Sequence, residues 1–228
     1  LRLQDRDWWR RRLRRMQSQR IEKISRELHQ VVITSNAYCS KIGQREWLRR
    51  QSINMDMLEH TLMENDDGEQ YTLADLSETS TANPAVRRTE LMIRIAGLEE
   101  YAKTLGYQGW MFTITCPSRY HAATKKTGAK NGKFKGASPK EAQEYLCKVW
   151  SRFRSYAKRI TKYKHEELEF FGFRVAEPHH DGTPHWHILV FVNPEHIEEM
   201  KKSLRHFASD EDAHELTTDN KRNARFHY

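Results

Sequence analysis

Two histidines, His185 and His187, flank one tryptophan in the segment EPHHDGTPHWHILVF, which opens with an acidic residue, Glu177. Successive side chains of a β-strand point to opposite faces, so the two imidazoles share a face and stand ~6–7 Å apart. Two imidazole nitrogens and a carboxylate from a neighbouring strand can hold a divalent cation and leave positions for water or substrate. The segment therefore predicts a metal site with His185, His187 and Glu177 as ligands.

Other residues near this segment leave alternatives open. His179 and His180 compete with Glu177 as the third ligand. His179 has the same strand alternation as Glu177 and would face the same side of the sheet, whereas His180 falls on the expected turn. Thr113 and Thr115 share a face of another predicted strand, either beside the metal or only completing the hydrogen bonds of the sheet. A His-x-His pair also arises by chance, and histidines that bind nothing are the alternative to a metal site.

The elements that must position these groups are predicted to form an antiparallel hairpin. Residues 170–179 and 184–193 are rich in β-branched and aromatic side chains, and an Asp-Gly pair lies between them. A strand is also predicted over 110–118, and Ser138 with Glu141 forms a capping box that begins a helix. We therefore expect an α+β fold in which helices flank an antiparallel sheet.

The first part of the chain has the periodicity of helices. Apolar residues spaced three to four apart predict helices over 5–33, 44–65 and 85–105, with a polar, turn-rich stretch between the last two. The predicted division is a helical N-terminal region, residues 1–106, followed by a second region, residues 107–228, that contains the sheet.

The composition indicates an anionic partner. Lys and Arg outnumber Asp and Glu by 39 to 31, which favours nucleic acid. The candidate contacts are basic residues of the first helix and of the loop after the first strand of the sheet, together with the turn histidine: Arg10, Arg11, Arg14, Lys125, Lys126, Lys133 and His180. A solvated helix docked by its tryptophans and a solvated loop are the alternatives.

The cysteines and the hydropathy exclude several protein classes. Cys39, Cys116 and Cys147 are isolated and odd in number, which argues against a disulfide framework and a thiolate zinc site. No apolar run approaches the ~20 residues that span a bilayer, and the first residues of the sequence have no apolar core like that of a signal peptide. We expect a reducing cytoplasm. The chain begins without Met inside a basic helix pattern, which suggests a fragment.

These residues carry a family resemblance that extends over nearly the whole chain. The segment RVAEPHHDGTPHWHILVF resembles the metal motif of HUH endonucleases, and it is most similar to the gene A replication initiators of tailed phages. The segment FTITCPSRYHA looks like the first rolling-circle motif. EAQEYLCKVWSRFR and DRDWWRRRLRRM are also similar to the phage family.

The resemblance implies a nickase with an HUH-type sheet that starts rolling-circle replication. In that family Mg²⁺ or Mn²⁺ polarises the scissile phosphate, and a tyrosine attacks it to form a 5′-phosphotyrosyl link. The implied substrate is single-stranded DNA at a phage replication origin. A host helicase and a polymerase are the implied partners, and the host bacterial cytoplasm is the implied compartment.

The chain departs from the family at the nucleophile. The family uses one of two tyrosines spaced four apart on a helix beyond the metal motif, whereas only Tyr228, the last residue, follows His187 here. We therefore expect the nucleophile beyond Tyr228. The alternatives are a relaxase or transposase of the same superfamily and a non-catalytic DNA-binding protein with a structural metal. Relaxases tend to have three histidines and an N-terminal tyrosine, and single-strand transposases are shorter.

Overall fold

The computed structural model describes residues 2–164 and 168–228. More than half of the chain is helical and the described sheets are antiparallel, which confirms the predicted α+β class, while the HUH type of the sheet stays a prediction. The main elements are α1 (Arg6–Glu27), α2 (Lys41–Glu59), β1 (Leu62–Glu64), β2 (Gln70–Thr72), α3 (Leu73–Thr79), α4 (Pro84–Thr104), β3 (Gln108–Thr115), α5 (Pro139–Lys164), β4 (Phe170–Pro178), β5 (Pro184–Val192), α6 (Ile197–Ser209), α7 (Asp219–Arg225) and β6 (Phe226–His227). Short 3-10 helices cover Arg2–Gln4, Ser118–Tyr120, Pro194–His196 and Ala213–Glu215.

A four-stranded sheet in the order β4-β5-β3-β6 positions the histidine segment. Strand β5 carries both histidines and lies between β4 and β3. Its register places His185 opposite Glu177 on one side and opposite Thr115 on the other, while Thr113 is opposite His187. Directly opposed residues of antiparallel strands project to the same face, so all five side chains lie on one face of the sheet.

The hydrophobic core covers the other face of this sheet. Trp186, between the two histidines in sequence, is fully buried there. Helices α5 and α6 cover this face because their apolar residues recur at three- and four-residue spacing. The core residues they contribute include Tyr145, Leu146, Val149, Phe153, Met200 and Leu204. The alternation of β5 thus anchors the strand in the core on one side and presents two imidazoles on the other.

Contacts divide the chain into two compact units. One contains Leu1–Gly43 and Ala102–Tyr228, including the four-stranded sheet, and the other is Gln44–Tyr101. The predicted division at residue 106 grouped the first 43 residues with the other N-terminal helices, whereas the structure groups them with the sheet. That residues 107–228 form an endonuclease domain stays a prediction.

Three local features differ from the sequence expectations. Helix α1 ends at Glu27, not near residue 33, because His29 adopts a φ of 59° that cannot continue a helix, and the following Val31 and Val32 are buried in a turn. The polar stretch after α2 contains the ribbon of β1 and β2. The polar C-terminal residues form α7 and β6, and β6 pairs with β3.

No helix within the described residues combines the length and the apolar character that crossing a membrane requires.

Candidate metal centre

Glu177, His185 and His187 meet on one face of the β4–β5 hairpin, as strand alternation predicted. The Nε2 atoms of the two histidines are 2.9 Å apart. An Oε2 atom of Glu177 lies 3.5 Å from Nε2 of His187 and 4.0 Å from Nε2 of His185. The His185 side chain is 13% exposed and that of Glu177 is 55% exposed. The site is therefore shielded from solvent at His185 and open to solvent at the carboxylate of Glu177.

The spacing of these atoms fits a divalent cation. Two nitrogens at ~2.0–2.1 Å from one ion and at right angles to each other stand ~2.9 Å apart, as in an octahedral site. The separation of the two Nε2 atoms in the structure has this value. Imidazoles suit transition metals and carboxylates suit Mg²⁺ and Mn²⁺, so the mixed set is compatible with the predicted Mg²⁺ or Mn²⁺, and the identity of the ion stays a prediction. The role of the three residues as metal ligands stays a prediction.

Thr113 orients one of the two histidines. Its Oγ1 lies 3.0 Å from Nδ1 of His187. When Nδ1 carries the ring proton and donates it to this hydroxyl, Nε2 presents its lone pair to the open side of the site. Two roles were considered for the threonines of this strand: a place beside the metal or only the completion of sheet hydrogen bonds. The contact with His187 places the Thr113 side chain beside the site.

His179 packs against the site but does not join it. Its ring centroid lies 4.1 Å from that of His185. Burial, together with the nearby rings of His121 and His185, lowers the pKa of His179 to about 3, so the ring is neutral near pH 7. Burial also lowers the pKa of His185, with a further contribution from His187. Both rings are therefore held in the uncharged form that a cation requires.

The turn between β4 and β5 is fixed by a buried carboxylate. Asp181 accepts hydrogen bonds from the backbone N–H groups of Ala122 at 2.8 Å and Thr183 at 3.1 Å, and its Oδ2 is 3.2 Å from Nδ1 of His121. Burial alone would raise the pKa of Asp181, but His121, the Thr183 amide and the charge of Arg26 together lower it. An ionised carboxylate thus ties the turn to the segment after β3.

Arg26 of α1 joins the same turn from another side. Its guanidinium is buried and donates to the carbonyl oxygens of Asp181 at 2.8 Å, Ala137 at 2.6 Å and Tyr120 at 2.6 Å. It also donates to Oγ1 of Thr183 at 2.7 Å. One side chain of the N-terminal helix therefore connects three segments that surround the histidine hairpin.

The basic residues predicted to bind DNA lie at the surface in different surroundings. Arg10 forms an exposed ion pair with Asp7 at 3.6 Å, and Lys133 pairs with Glu215 at 3.1 Å. Nε2 of His180 lies 3.3 Å from the carbonyl oxygen of Thr124, which places the turn beside the lysine loop. Arg11 contacts Asp5 at the edge of ion-pair range, and the exposed side chains are Arg10, Arg11, Arg14, Lys125, Lys126 and Lys133. Their contact with DNA stays a prediction.

Tyr228 lies on the core side of the sheet. Its ring centroid is 6.4 Å from that of Trp110 and 6.2 Å from that of Phe112, and Nζ of Lys201 lies 4.9 Å from the ring. Because side chains alternate along a strand, Trp110 and Phe112 point to the face opposite to that of Thr113, which faces the histidines. The Tyr228 side chain is thus on the face opposite to the candidate ligands, and the location of the nucleophile beyond it stays a prediction.

Sequence reasoning did not identify Arg26, His121 or Asp181 as residues of this centre. Arg26 is one of many arginines in α1, and its neighbours Ile24 and Leu28 give no hint that it is buried, since both are exposed. Asp181 belongs to an Asp-Gly pair, which is typical of a hairpin turn. The turn alone accounts for an aspartate there, so the sequence gives no reason to expect its contacts with other segments. Such long-range contacts leave no periodic signal in the sequence.

Comparisons with known proteins give consistent matches along the chain. A model of the family described as bacteriophage replication gene A protein (GPA) matches residues 1–228. The replication gene A protein of Escherichia phage 186 is 42% identical over 220 residues, which cover 96% of this chain and 31% of that protein. The replication gene A protein of Escherichia phage P2 is 35% identical over 219 residues, 92% of this chain and 28% of that protein.

A bacterial relative carries a functional name. A protein of Salmonella typhimurium named probable replication endonuclease from prophage-like region is 37% identical over 215 residues, 93% of this chain and 25% of that protein. The chain thus spans less than a third of the length of these three relatives. No solved structure gives a significant match.

Proposed function

Because the chain belongs to the bacteriophage replication gene A protein family, we propose that it is the metal-binding part of a nickase that initiates rolling-circle replication. The substrate is single-stranded DNA at a phage replication origin, cut at one strand and one site. A host helicase unwinds the duplex and a host polymerase extends the exposed 3′ end, in the cytoplasm of the host bacterium. The observation that carries the proposal is the convergence of Glu177, His185 and His187 within 4.8 Å of one another.

The residues of the chain have distinct tasks in this reaction. A divalent cation held by Glu177, His185 and His187 supplies Lewis-acid stabilisation of the charge that develops on the scissile phosphate. Thr113 holds the tautomer of His187, and the neutral ring of His179 packs against His185 and limits the approach of water. The half-exposed Glu177 marks the side from which DNA enters.

Cleavage in this proposal proceeds through a tyrosine nucleophile beyond Tyr228. The phenolic oxygen attacks the phosphorus atom, the 3′ oxygen leaves and accepts a proton, and the 5′ phosphate stays linked to the tyrosine. This link conserves the phosphodiester bond energy for rejoining. A phenol with a pKa near ~10 needs activation from the nearby positive charge or a base.

Metal binding is tested on the 228-residue chain by thermal unfolding with and without MnCl₂. Binding to the folded state alone raises the unfolding free energy by about 2.7 kcal/mol when the free ion is at 100 times its dissociation constant. We expect this shift for the wild type and for His206→Ala, which changes an exposed histidine on α6. It should disappear in His185→Ala and His187→Ala. A Mn²⁺ shift that survives both substitutions would contradict the assigned ligands.

Catalysis is tested on a protein extended past Tyr228 with labelled single-stranded origin DNA. The expected product is a covalent adduct on a denaturing gel that requires Mn²⁺ or Mg²⁺ and is lost in His185→Ala and His187→Ala. The 228-residue chain should bind DNA without forming the adduct. An adduct from this chain that Tyr228→Phe abolishes would place the nucleophile at Tyr228. An extended protein that binds metal and DNA but forms no adduct would favour a non-catalytic role.

A further inference from the structure

A groove lined by basic side chains runs between α5 and the edge strand β4. Arg154 and Lys158 of α5 and Arg174 of β4 line it together with the half-buried ring of Trp150. These four residues border two cavities, of about 310 Å³ and about 860 Å³. The groove is therefore large enough to hold part of an extended ligand.

The positive charges of this groove are not neutralised by the described protein. Within the described residues, Arg154 and Lys158 form no ion pair within 4 Å, whereas Arg152, on another side of α5, pairs with Asp210 at 2.6 Å. The guanidinium of Arg174 stacks 3.8 Å above the ring of the buried Trp186, which holds this charge in place. Glu169 is the carboxylate among the described lining residues of the larger cavity, so the cations are in excess.

The position of the groove relates it to the candidate metal centre. Arg174 and Glu177 belong to the same strand, three residues or ~10 Å apart along it, and point to opposite faces. Strand β4 is an edge of the sheet, so no described strand of this sheet covers its outer side. An extended chain that leaves the metal centre at Glu177 can therefore cross this edge and enter the groove.

We propose that this groove binds the phosphate backbone of single-stranded DNA next to the scissile phosphate, with Trp150 as a stacking surface for a base. The inference rests on the proposed function, because it takes the DNA to be bound at the metal centre. Spaced cations beside an accessible aromatic ring are the features that hold single strands without sequence preference, and the half-buried Trp150 keeps part of its ring accessible. An acidic peptide would use the cations but has no base to stack on Trp150.

The first test measures DNA affinity against salt concentration with the 228-residue chain and a fluorescent oligonucleotide. Each phosphate contact to a single strand contributes about 0.7 to the slope of log K against log salt. The double variant Arg154→Gln/Lys158→Gln should therefore lower the slope by about 1.4. The matched control is Lys148→Gln/Arg159→Gln, which removes two exposed charges from α5 that do not line the cavities and should leave the slope unchanged.

The second test uses a native thiol in the groove. Cys147 is exposed and lines the smaller cavity, whereas Cys39 is exposed elsewhere. Saturating oligonucleotide should slow alkylation of Cys147 at least about tenfold, as read by peptide mass spectrometry, and the effect should be lost in Arg154→Gln/Lys158→Gln. Alkylation of Cys147 at an unchanged rate in saturating DNA would overturn the proposal. Protection by polyglutamate but not by DNA would also overturn it, in favour of an acidic protein.

The outcomes separate this inference from the proposed function. In one outcome Mn²⁺ stabilises the protein through His185, the extended protein forms its adduct, and the groove variants bind DNA normally. The proposal for the groove is then wrong, and the proposed nickase function is kept. In another outcome the groove variants lower the slope of DNA affinity against salt, but His185→Ala keeps the stabilisation by Mn²⁺. The assignment of the metal ligands is then wrong, and the proposal for the groove is kept. A chain that binds no single-stranded DNA contradicts both.

Discussion

Replacing Arg26 with methionine should destabilise the sheet unit more than any substitution of an exposed arginine in α1. The guanidinium provides hydrogen bonds to three backbone carbonyl oxygens and to one hydroxyl, all of which surround the turn after β4. Methionine has a similar length and can fill the space, but it has no donor. The perturbation therefore removes hydrogen bonds while it keeps most of the apolar packing.

The magnitude follows from the acceptors that lose their donors. The carbonyl oxygen of Tyr120 also accepts a bond from Oγ1 of Thr183 at 3.1 Å, so it keeps a partner. The carbonyl oxygen of Asp181 is buried and loses its donor, at about 1–3 kcal/mol, and that of the partly buried Ala137 loses its donor at a smaller cost. The Asp181 carboxylate also loses a neighbouring positive charge, and removing one member of a buried charge network costs about 3–5 kcal/mol. The carbonyl oxygens that lose Arg26 belong to this same network, so the two ranges overlap and are not added, and we expect a total loss of about 3–5 kcal/mol.

The assay is hydrogen exchange of the β4 and β5 amides, which reports the unit that contains Arg26, combined with urea unfolding. The matched control is Arg20→Met, which changes an exposed arginine of the same helix and should stay within about 0.5 kcal/mol of the wild type. Arg26→Lys keeps the charge but cannot reach all acceptors, so it should be intermediate. Arg26→Met within about 0.5 kcal/mol of the wild type would refute the idea that this side chain holds the turn.

Three further outcomes test the packing and the charges of the sheet unit. Gly172→Ala should cost about 2 kcal/mol or more in urea unfolding, because its Cβ would lie 1.9 Å from the carbonyl oxygen of Leu189; Gly97→Ala, which meets nothing within 4 Å, should be neutral or stabilising. The lowered pKa of Asp181 means that its ionisation stabilises the fold fully above pH ~4 and less as the pH falls, so unfolding free energy should decline less in acid for Asp181→Asn. Burial raises the pKa of Cys116, so in the folded protein its thiol should resist alkylation that modifies the two exposed cysteines.

Local rules predicted the parts of this structure that depend on neighbours in sequence. Strand alternation placed His185 and His187 on one face, since the side-chain period of a strand is fixed at two. The capping box at the start of α5 was also predicted and is present: the backbone N–H of Ser138 donates to Oε2 of Glu141 at 2.7 Å, and the backbone N–H of Glu141 donates to Oγ of Ser138 at 3.2 Å. In both cases the residues that decide the conformation lie within a few positions of each other.

Features that depend on distant residues could not be predicted in this way. The positive φ of His29 ends α1 and the following Val31 and Val32 are buried, but the sequence does not reveal what buries them. Arg26 contacts Asp181, which is 155 positions away in sequence. Only the folded chain shows which arginine of α1 makes this contact. Strand β6 has two residues, and it is recognisable only by its pairing with β3.

The place of β3 within the sheet has a consequence during synthesis on the ribosome. Both strands that pair with β3 follow it in the chain. His187, which lies opposite Thr113, is synthesised 74 residues after it. At about 5–20 residues per second, this separation corresponds to about 4–15 s of translation, during which both edges of an apolar strand are unpaired. Unpaired apolar edges favour association between nascent chains. A chaperone that binds extended apolar segments should therefore increase the yield of folded protein.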